Sequence, residues 1–487
     1  MIKEGNTVTH QKSRWSIMPN TPVGLLRSSP RSVRRRAGTP LQDALRVVAA
    51  WLDYKRTYHR IPALSVGVVH GNDMVFRAAY GYADEAARRK PTDRTCYRVA
   101  SISKTFTATA VMQLVERGLV RLDERADYYV PWFKSRRGGS LDAITVRHLL
   151  SHGAGVERDG SDHWTTDRFP TLEQLKARVR DGVAVFPPLE RWKYSNLGYA
   201  VLGQVVAAAG GRSYEDCVRA GILEPLGLTH SGFDLTPKII QSLALGYGRE
   251  GPGRGRAPFT HPDTNVWRAA AGMVSNVVDL CAFMSAQFPG SGRLLSDLSK
   301  REMRRPQWQR AGEGYGLGYH IWTVDCTPIV GHGGGFQGFK TAIGMDTERK
   351  IGVAVLTNAI DGPAQPLMIG IFQTIYDCLG RVDSRASSSA TSAALLRYEG
   401  RYTNRWGELE IVRVGNRLVG FEPRSDRPLR DVDELERRGP GRFRIVAGAG
   451  IGSIGEAVTF QLDARGVPRR LRWGPTPMRR VKTNRQS

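Results

Sequence analysis

The chain has 487 residues, of which 41% are apolar, with 71 Lys and Arg against 46 Asp and Glu, so the formal charge is 71 − 46 = +25. This composition excludes wholesale disorder, and the length leaves room for two or three domains. The charge is uneven: residues 1–38 carry eight basic and one acidic residue, residues 397–487 carry twenty and eleven, and the 358 residues between them carry 43 and 34. Two flanking regions therefore hold 7 + 9 of the 25 charges, and the body of the chain is not patterned to grip phosphates.

Residues 1–38 read as a basic, solvated tail. The run Arg34-Arg35-Arg36 precedes only a short, charge-interrupted apolar stretch at 45–51, a poor export signal, so a cytoplasmic location is expected. Leu41, Leu45, Val48 and Leu52 are spaced for one face of a helix over residues 41–58. Residues 62–70 and 74–80 flank Gly71-Asn72-Asp73 and predict a β-hairpin. From Cys96 to about Pro289 the pattern is mainly helical, as in Phe106, Ala110, Val111, Leu114 and Val115 ahead of a capping Gly118. Strand signals return at residues 328–330, 339–345 and 351–356; none approaches the roughly 18 apolar residues of a membrane-spanning helix.

Strands at both ends of a long helical middle predict an α+β fold, an α/β sandwich. Its antiparallel sheet is assembled from N- and C-terminal strands and flanked by helices, beside an all-helical region. Residues 382–396 read as a linker, rich in Ser and Ala. Beyond it, six short runs at 400–403, 408–412, 418–421, 443–446, 458–462 and 470–473 predict a small β-barrel or sandwich. The expected domains are a tail at 1–38, a main domain at 39–381, the linker, and a β-rich domain at 397–487.

Three motifs carry chemistry. In Ser101-Ile102-Ser103-Lys104 a helical start puts Ser101 and Lys104 on one face, so that a buried Lys can activate the serine. Tyr194-Ser195-Asn196 offers a phenol for proton relay and an amide to hold a substrate group. His332-Gly333-Gly334, after the strand at 328–330, lets substrate backbone lie along an edge strand, with N–H groups for an oxyanion. Spare copies of the latter two patterns, at Tyr402-Thr403-Asn404 and His230-Ser231-Gly232, read as surface turns.

In context these segments resemble the serine β-lactamase-like family of penicillin-binding proteins, class C β-lactamases, esterases and D-amino-acid peptidases. The likeness runs from about Pro62 to Leu379 through residues 97–108, His148-Leu149-Leu150-Ser151-His152-Gly153, residues 194–199, Pro225-Leu226-Gly227-Leu228, residues 271–275, residues 315–319 and residues 332–335. Tyr398-Glu399-Gly400-Arg401-Tyr402 is similar to the start of a lipocalin-like extension. The resemblance implies that Ser101 is the acylated nucleophile, Lys104 its general base and Tyr194 the proton shuttle to the leaving group. It further implies that Asn196, His332, Gly333 and Gly334 bind substrate, and that the N–H groups of Ser101 and Gly335 form an oxyanion hole.

The third motif departs from the Lys-Thr-Gly of β-lactamases, and Tyr-Ser-Asn from their Ser-Asp-Asn. His332 lacks a permanent charge to anchor a carboxylate, so an ester, amide or D-aminoacyl peptide bond is expected in preference to a β-lactam. The rival readings are a penicillin-recognising module with little turnover and, from charge alone, a nucleic-acid binder. A small-molecule or peptide substrate is expected, with no nucleic acid, no metal and no cofactor. The five cysteines (Cys96, Cys217, Cys281, Cys326, Cys378) form no C-x-x-C pair, and no metalloprotease, nucleotide-loop or α/β-hydrolase motif occurs. His152 is expected to pack or cap a helix, and the aromatic group Tyr315, Tyr319 and Trp322 to fill the core.

Overall fold

The structure, a computed structural model, describes residues 39–135, 140–233, 235–251, 253, 255–381, 394–448, 450 and 452–481. The tail expected over 1–38 and the linker up to residue 393 lie outside the described residues.

The first helix spans Pro40–Tyr58 and starts with a reciprocal cap. The Gln42 N–H donates to the Thr39 hydroxyl, and the Thr39 N–H donates to the Gln42 side chain. The hairpin forms as Ala63–His70 and Asp73–Gly81. Ile351–Thr357 then lies antiparallel to Ala63–His70, with Val66 opposite Val355. This pairing joins the two ends of the α+β body in one sheet, as the strand signals predict.

The sheet has eight strands in the order Asp73–Gly81, Ala63–His70, Ile351–Thr357, Phe339–Asp346, Thr327–Phe336, His320–Val324, Glu313–Tyr315, Trp308–Arg310. Its central strands read as unbroken apolar runs because both faces are covered. Val353 and Val355 pack with Trp51, Leu367 and Ile371 of the helices Pro40–Tyr58 and Ala364–Arg381. The alternate residues Ala354 and Leu356 join the helical region that includes Phe106 and Phe283. Each such fully buried Val or Leu side chain stabilises the fold by about 1.5–3 kcal/mol. The three strands between Trp308 and Val324 are absent from the sequence reading; they are three to five residues long and mix polar with aromatic residues, too short for a period to show.

The C-terminal barrel is closed and has eight strands where six were expected. The additions are Val432–Gly439, whose Asp-Glu-Leu-Glu-Arg-Arg run hides its alternation, and Thr476–Arg480, which closes the barrel by pairing Tyr402 with Arg480. Tyr398, Tyr402, Phe443, Phe460 and Trp473 pack its interior. Tyr402 is therefore a core residue of the strand Gly400–Thr403, not the surface turn expected. In the other spare motif Ser231 is buried and donates to Asp279 at 2.8 Å.

The barrel is docked on the first helix. Trp51 Nε1 donates to the Ser425 carbonyl at 2.8 Å, Lys55 Nζ meets Asp426 at 2.6 Å, and Arg413 meets Asp43 at 3.1 Å. Among the described residues no helix is long and apolar enough to cross a membrane.

Candidate active site

Ser101 stands on a tight turn. Ala100, directly before it, has φ +53, a left-handed conformation that costs a residue with a side chain on the order of 1–3 kcal/mol. The turn Ala100–Ile102 is 3-10, and the α-helix Ser103–Glu116 begins only afterwards, so Ser101 precedes the helix and Lys104 lies in its first turn. The Ser103 hydroxyl holds the turn by donating to the Ala100 carbonyl at 2.6 Å and accepting the Met273 N–H at 3.0 Å.

Lys104 is fully buried. Its Nζ lies 2.7 Å from Asn196 Oδ1, 2.8 Å from the Ala270 carbonyl and 3.2 Å from Ser101 Oγ. Burial pushes the ammonium well below the usual lysine range; the Asp159 carboxylate acts against that shift and Arg158 with it. A neutral amine has two N–H groups and one lone pair. The two carbonyl-type acceptors take the N–H groups, and the lone pair is left for the Ser101 hydroxyl. Tyr194 donates its O–H to Ser101 Oγ at 2.7 Å, and burial raises the phenol above its ordinary range, so it stays protonated. The proton array thus runs from Tyr194 through Ser101 to Lys104.

The third motif lies inside a strand, not after one. Thr327–Phe336 continues through His332, Gly333, Gly334 and Gly335 because Phe339–Asp346 pairs with it residue by residue, Gly334 opposite Thr341 and Gly335 opposite Lys340. Gly334 is required by close approach. A Cβ there would lie 2.2 Å from Thr341 Oγ1 and 2.3 Å from the carbonyl of Val99, two residues before Ser101.

His332 is buried and neutral. Its Nδ1–H faces the Gly333 carbonyl at 2.6 Å and its Nε2 accepts from Tyr315 at 3.2 Å; burial, then His320 and Lys104, hold its pKa well below the ordinary value. Tyr315 therefore serves the site as well as the core, and Trp322 reaches the cleft wall. His152 packs its ring against Tyr194, with centroids 4.3 Å apart, and its Nδ1 accepts the Ser195 N–H at 3.1 Å. It is thus a packing residue whose neighbour is the site itself.

A cleft of about 900 Å³ opens onto Ser101, Tyr194, His332, Gly333, Gly334 and Gly335. All of its lining residues fall between Ser101 and Pro366, so the barrel supplies none of its described walls. Asn196, expected to hold substrate, is 3% exposed and sits behind Ser101. Its carbonyl is taken by Lys104, and its Nδ2 donates to Asp159 at 2.7 Å. The sequence reading also missed Lys340. This lysine lines the cleft, its Nζ is 2.9 Å from where a Cβ on Gly335 would be, and it has no acidic partner among the described residues. The third motif has no cation of its own, but the opposite strand brings one to it. Asp159 and Lys340 lie outside every short motif, and only strand pairing and loop packing carry them here.

The β-lactamase family profile matches residues 48–367, well over half of the chain. The chain belongs to this β-lactamase family. Its relatives include the penicillin-binding protein 4* of Bacillus subtilis (strain 168), 26% identical over 388 residues, covering 74% of this chain and 83% of that protein. Protein flp of Staphylococcus aureus (strain N315) is 26% identical over 302 residues, 61% of this chain; the match spans 60% of that relative's length. The octameric penicillin-binding protein homologue from Pyrococcus abyssi superposes with a TM-score of 0.62 at 25% identity, covering 88% of this chain and 98% of that one. The family and its fold, a large antiparallel sheet with helices, here followed by a closed barrel, are those the sequence motifs indicated. The family is that of serine hydrolases of the β-lactamase and penicillin-binding type.

Proposed function

We propose that the chain cleaves an ester, amide or D-aminoacyl peptide bond through an acyl-enzyme on Ser101. The reading rests above all on the three contacts of buried Lys104, which in its neutral form leave both N–H groups occupied by Asn196 and Ala270 and the lone pair for Ser101. Ser101 Oγ attacks the substrate carbonyl carbon and its proton passes to Lys104. The carbonyl oxygen becomes an oxyanion, held by the N–H groups of Ser101 and Gly335. As the tetrahedral adduct collapses, Tyr194 protonates the leaving group and regains its proton from Lys104. Water then repeats the sequence on the acyl-enzyme. Residues 39–381 form the hydrolase domain in this reading, and residues 397–487 an accessory barrel.

Lys340 favours one member of the substrate class. An ammonium beside Gly335 with no acidic partner among the described residues suits a substrate carrying a carboxylate near the scissile bond, as a D-aminoacyl peptide does, over a neutral ester. The same charge keeps open the alternative of a β-lactam-recognising module with little turnover.

The test is reaction with a short-chain p-nitrophenyl ester and with a fluorophosphonate, followed by intact mass. One adduct per chain is expected, and Ser101→Ala loses about 10⁴ to 10⁶ in kcat. Absence of any adduct or turnover, or a variant that reacts as the parent does, ends the reading. A panel of a neutral ester, a D-Ala-D-Ala peptide and a chromogenic β-lactam then ranks the substrates. Binding of the β-lactam without turnover supports the alternative.

A further inference from the structure

The segment ahead of Trp164 holds the second motif by a row of contacts. Ser195 Oγ donates to the Glu157 carbonyl at 2.6 Å, and the N–H groups of Asn196 and Leu197 donate to the Arg158 carbonyl at 2.7 and 3.1 Å. The row ends on a side chain: Asp159 Oδ1 accepts Asn196 Nδ2 at 2.7 Å and Trp164 Nε1 at 3.0 Å. A carboxylate only accepts, so it fixes which way the Asn196 amide faces. With Nδ2 committed to Asp159, Oδ1 must face Lys104, where it lies 2.7 Å from Nζ.

We propose that Asp159 is the positioning residue of this site, clamping the Asn196 amide so that its carbonyl oxygen holds Lys104 with the lone pair on Ser101. The inference rests on the acyl-enzyme reading above. Asp159 touches neither substrate nor nucleophile; it acts through Asn196.

The clamp has a second consequence, through charge. Around Lys104 stand the rings of Tyr194 and Tyr199, at 4.8 and 5.3 Å from Nζ, together with Asn196, His152, His320, His332 and Arg158. Burial holds the three histidines below their ordinary value, His320 down to about 4, so they are uncharged near neutral pH. Arg158, itself 3.3 Å from Asp159, makes Lys104 give up its proton more readily, and the Asp159 carboxylate makes it keep the proton. Removing the Asp159 charge therefore lets Lys104 reach its neutral, active form at lower pH.

Asp159→Asn separates the two roles, because a carboxamide is isosteric and its oxygen can still accept from Asn196. The acid limb of kcat/KM for a p-nitrophenyl ester should move down by about one pH unit, with less than a tenfold change at the plateau. Asp159→Ala removes the acceptor as well, frees the Asn196 amide to turn, and should cost about 10- to 100-fold in kcat with KM little changed. An acid limb that superimposes on the parent's overturns the inference. So does lowered thermal stability with limb and plateau unmoved, which is the signature of a purely structural contact. A parent enzyme that is itself inactive, or is matched by Ser101→Ala, removes the acyl-enzyme reading and this inference with it. Ser101-dependent activity with an unmoved limb in Asp159→Asn removes this inference alone.

Discussion

Two of the regions where this molecule buries charge, the seam under the barrel and the wall of the cleft, treat it oppositely. Along the seam each buried charge meets its opposite. Asp43, 3% exposed, faces Arg413 at 3.1 Å and also Arg46, Arg401 faces Asp53 across the seam at 3.5 Å and Glu410 within the barrel at 3.1 Å, and Lys55 faces Asp426 at 2.6 Å. Burial raises the Asp43 pKa, and the Gly415 N–H and Arg46 work against that rise. In the cleft, fully buried Lys104 touches only uncharged acceptors, and the nearest carboxylate acts on it through the Asn196 amide. Desolvation without a directly bound counter-charge favours the neutral form of an amine, whereas the same desolvation offset by an ion pair keeps the charge and fixes a geometry. The contrast separates a group poised to take a proton from groups that hold two parts of the chain together.

Three substitutions probe this contrast, from the largest expected effect to the smallest. Lys104→Met removes the lone pair and should cost about 10² to 10⁴ in kcat with the fold intact, measured by ester turnover and circular dichroism. On the acyl-enzyme reading the active form is the free amine. Activity should therefore rise with pH through the folded-state Lys104 value and be lost below it, with the limb well under the ordinary lysine range of about 10.4. A limb near that ordinary value would mean that burial is not tuning the amine. At the seam, Arg413→Met leaves Asp43 with only Arg46 and the Gly415 N–H, and should lower stability by about 1–3 kcal/mol in a denaturant titration. Its kcat/KM should match the parent's, since no described barrel residue lines the cleft; a large loss of activity in the folded variant would break the division. Lys340→Ala should lower kcat/KM about tenfold for a carboxylate-bearing peptide and leave a neutral ester unchanged, a difference of about 1.4 kcal/mol. Equal effects on both substrates would deny the lysine a part in specificity.

Much of the fold is legible in the chain. The apolar runs at 62–70, 339–345 and 351–356 are visible without coordinates, and the helix over 41–58 shows its stripe. The short strands at Trp308–Arg310 and Glu313–Tyr315 are not legible, since three residues cannot display an alternation. Nor is the barrel strand Val432–Gly439, where charged residues interrupt it. In the same way the sequence names Ser101, Lys104 and Tyr194, because their types and spacing are chemically unusual, but it is silent on the residues that tune them.

The α+β class was legible in the sequence alone, through its apolar runs, and so were the candidate reactive groups, through local spacing. Only the tertiary structure decided how those groups are poised. The left-handed Ala100 that presents Ser101, the Ala270 carbonyl that orients Lys104, the Asp159 that turns Asn196, and the Lys340 that brings a cation to Gly335 come from segments far apart in the chain. Their effects are those of burial, hydrogen-bond direction and strand register, and these exist only once the chain has closed on itself.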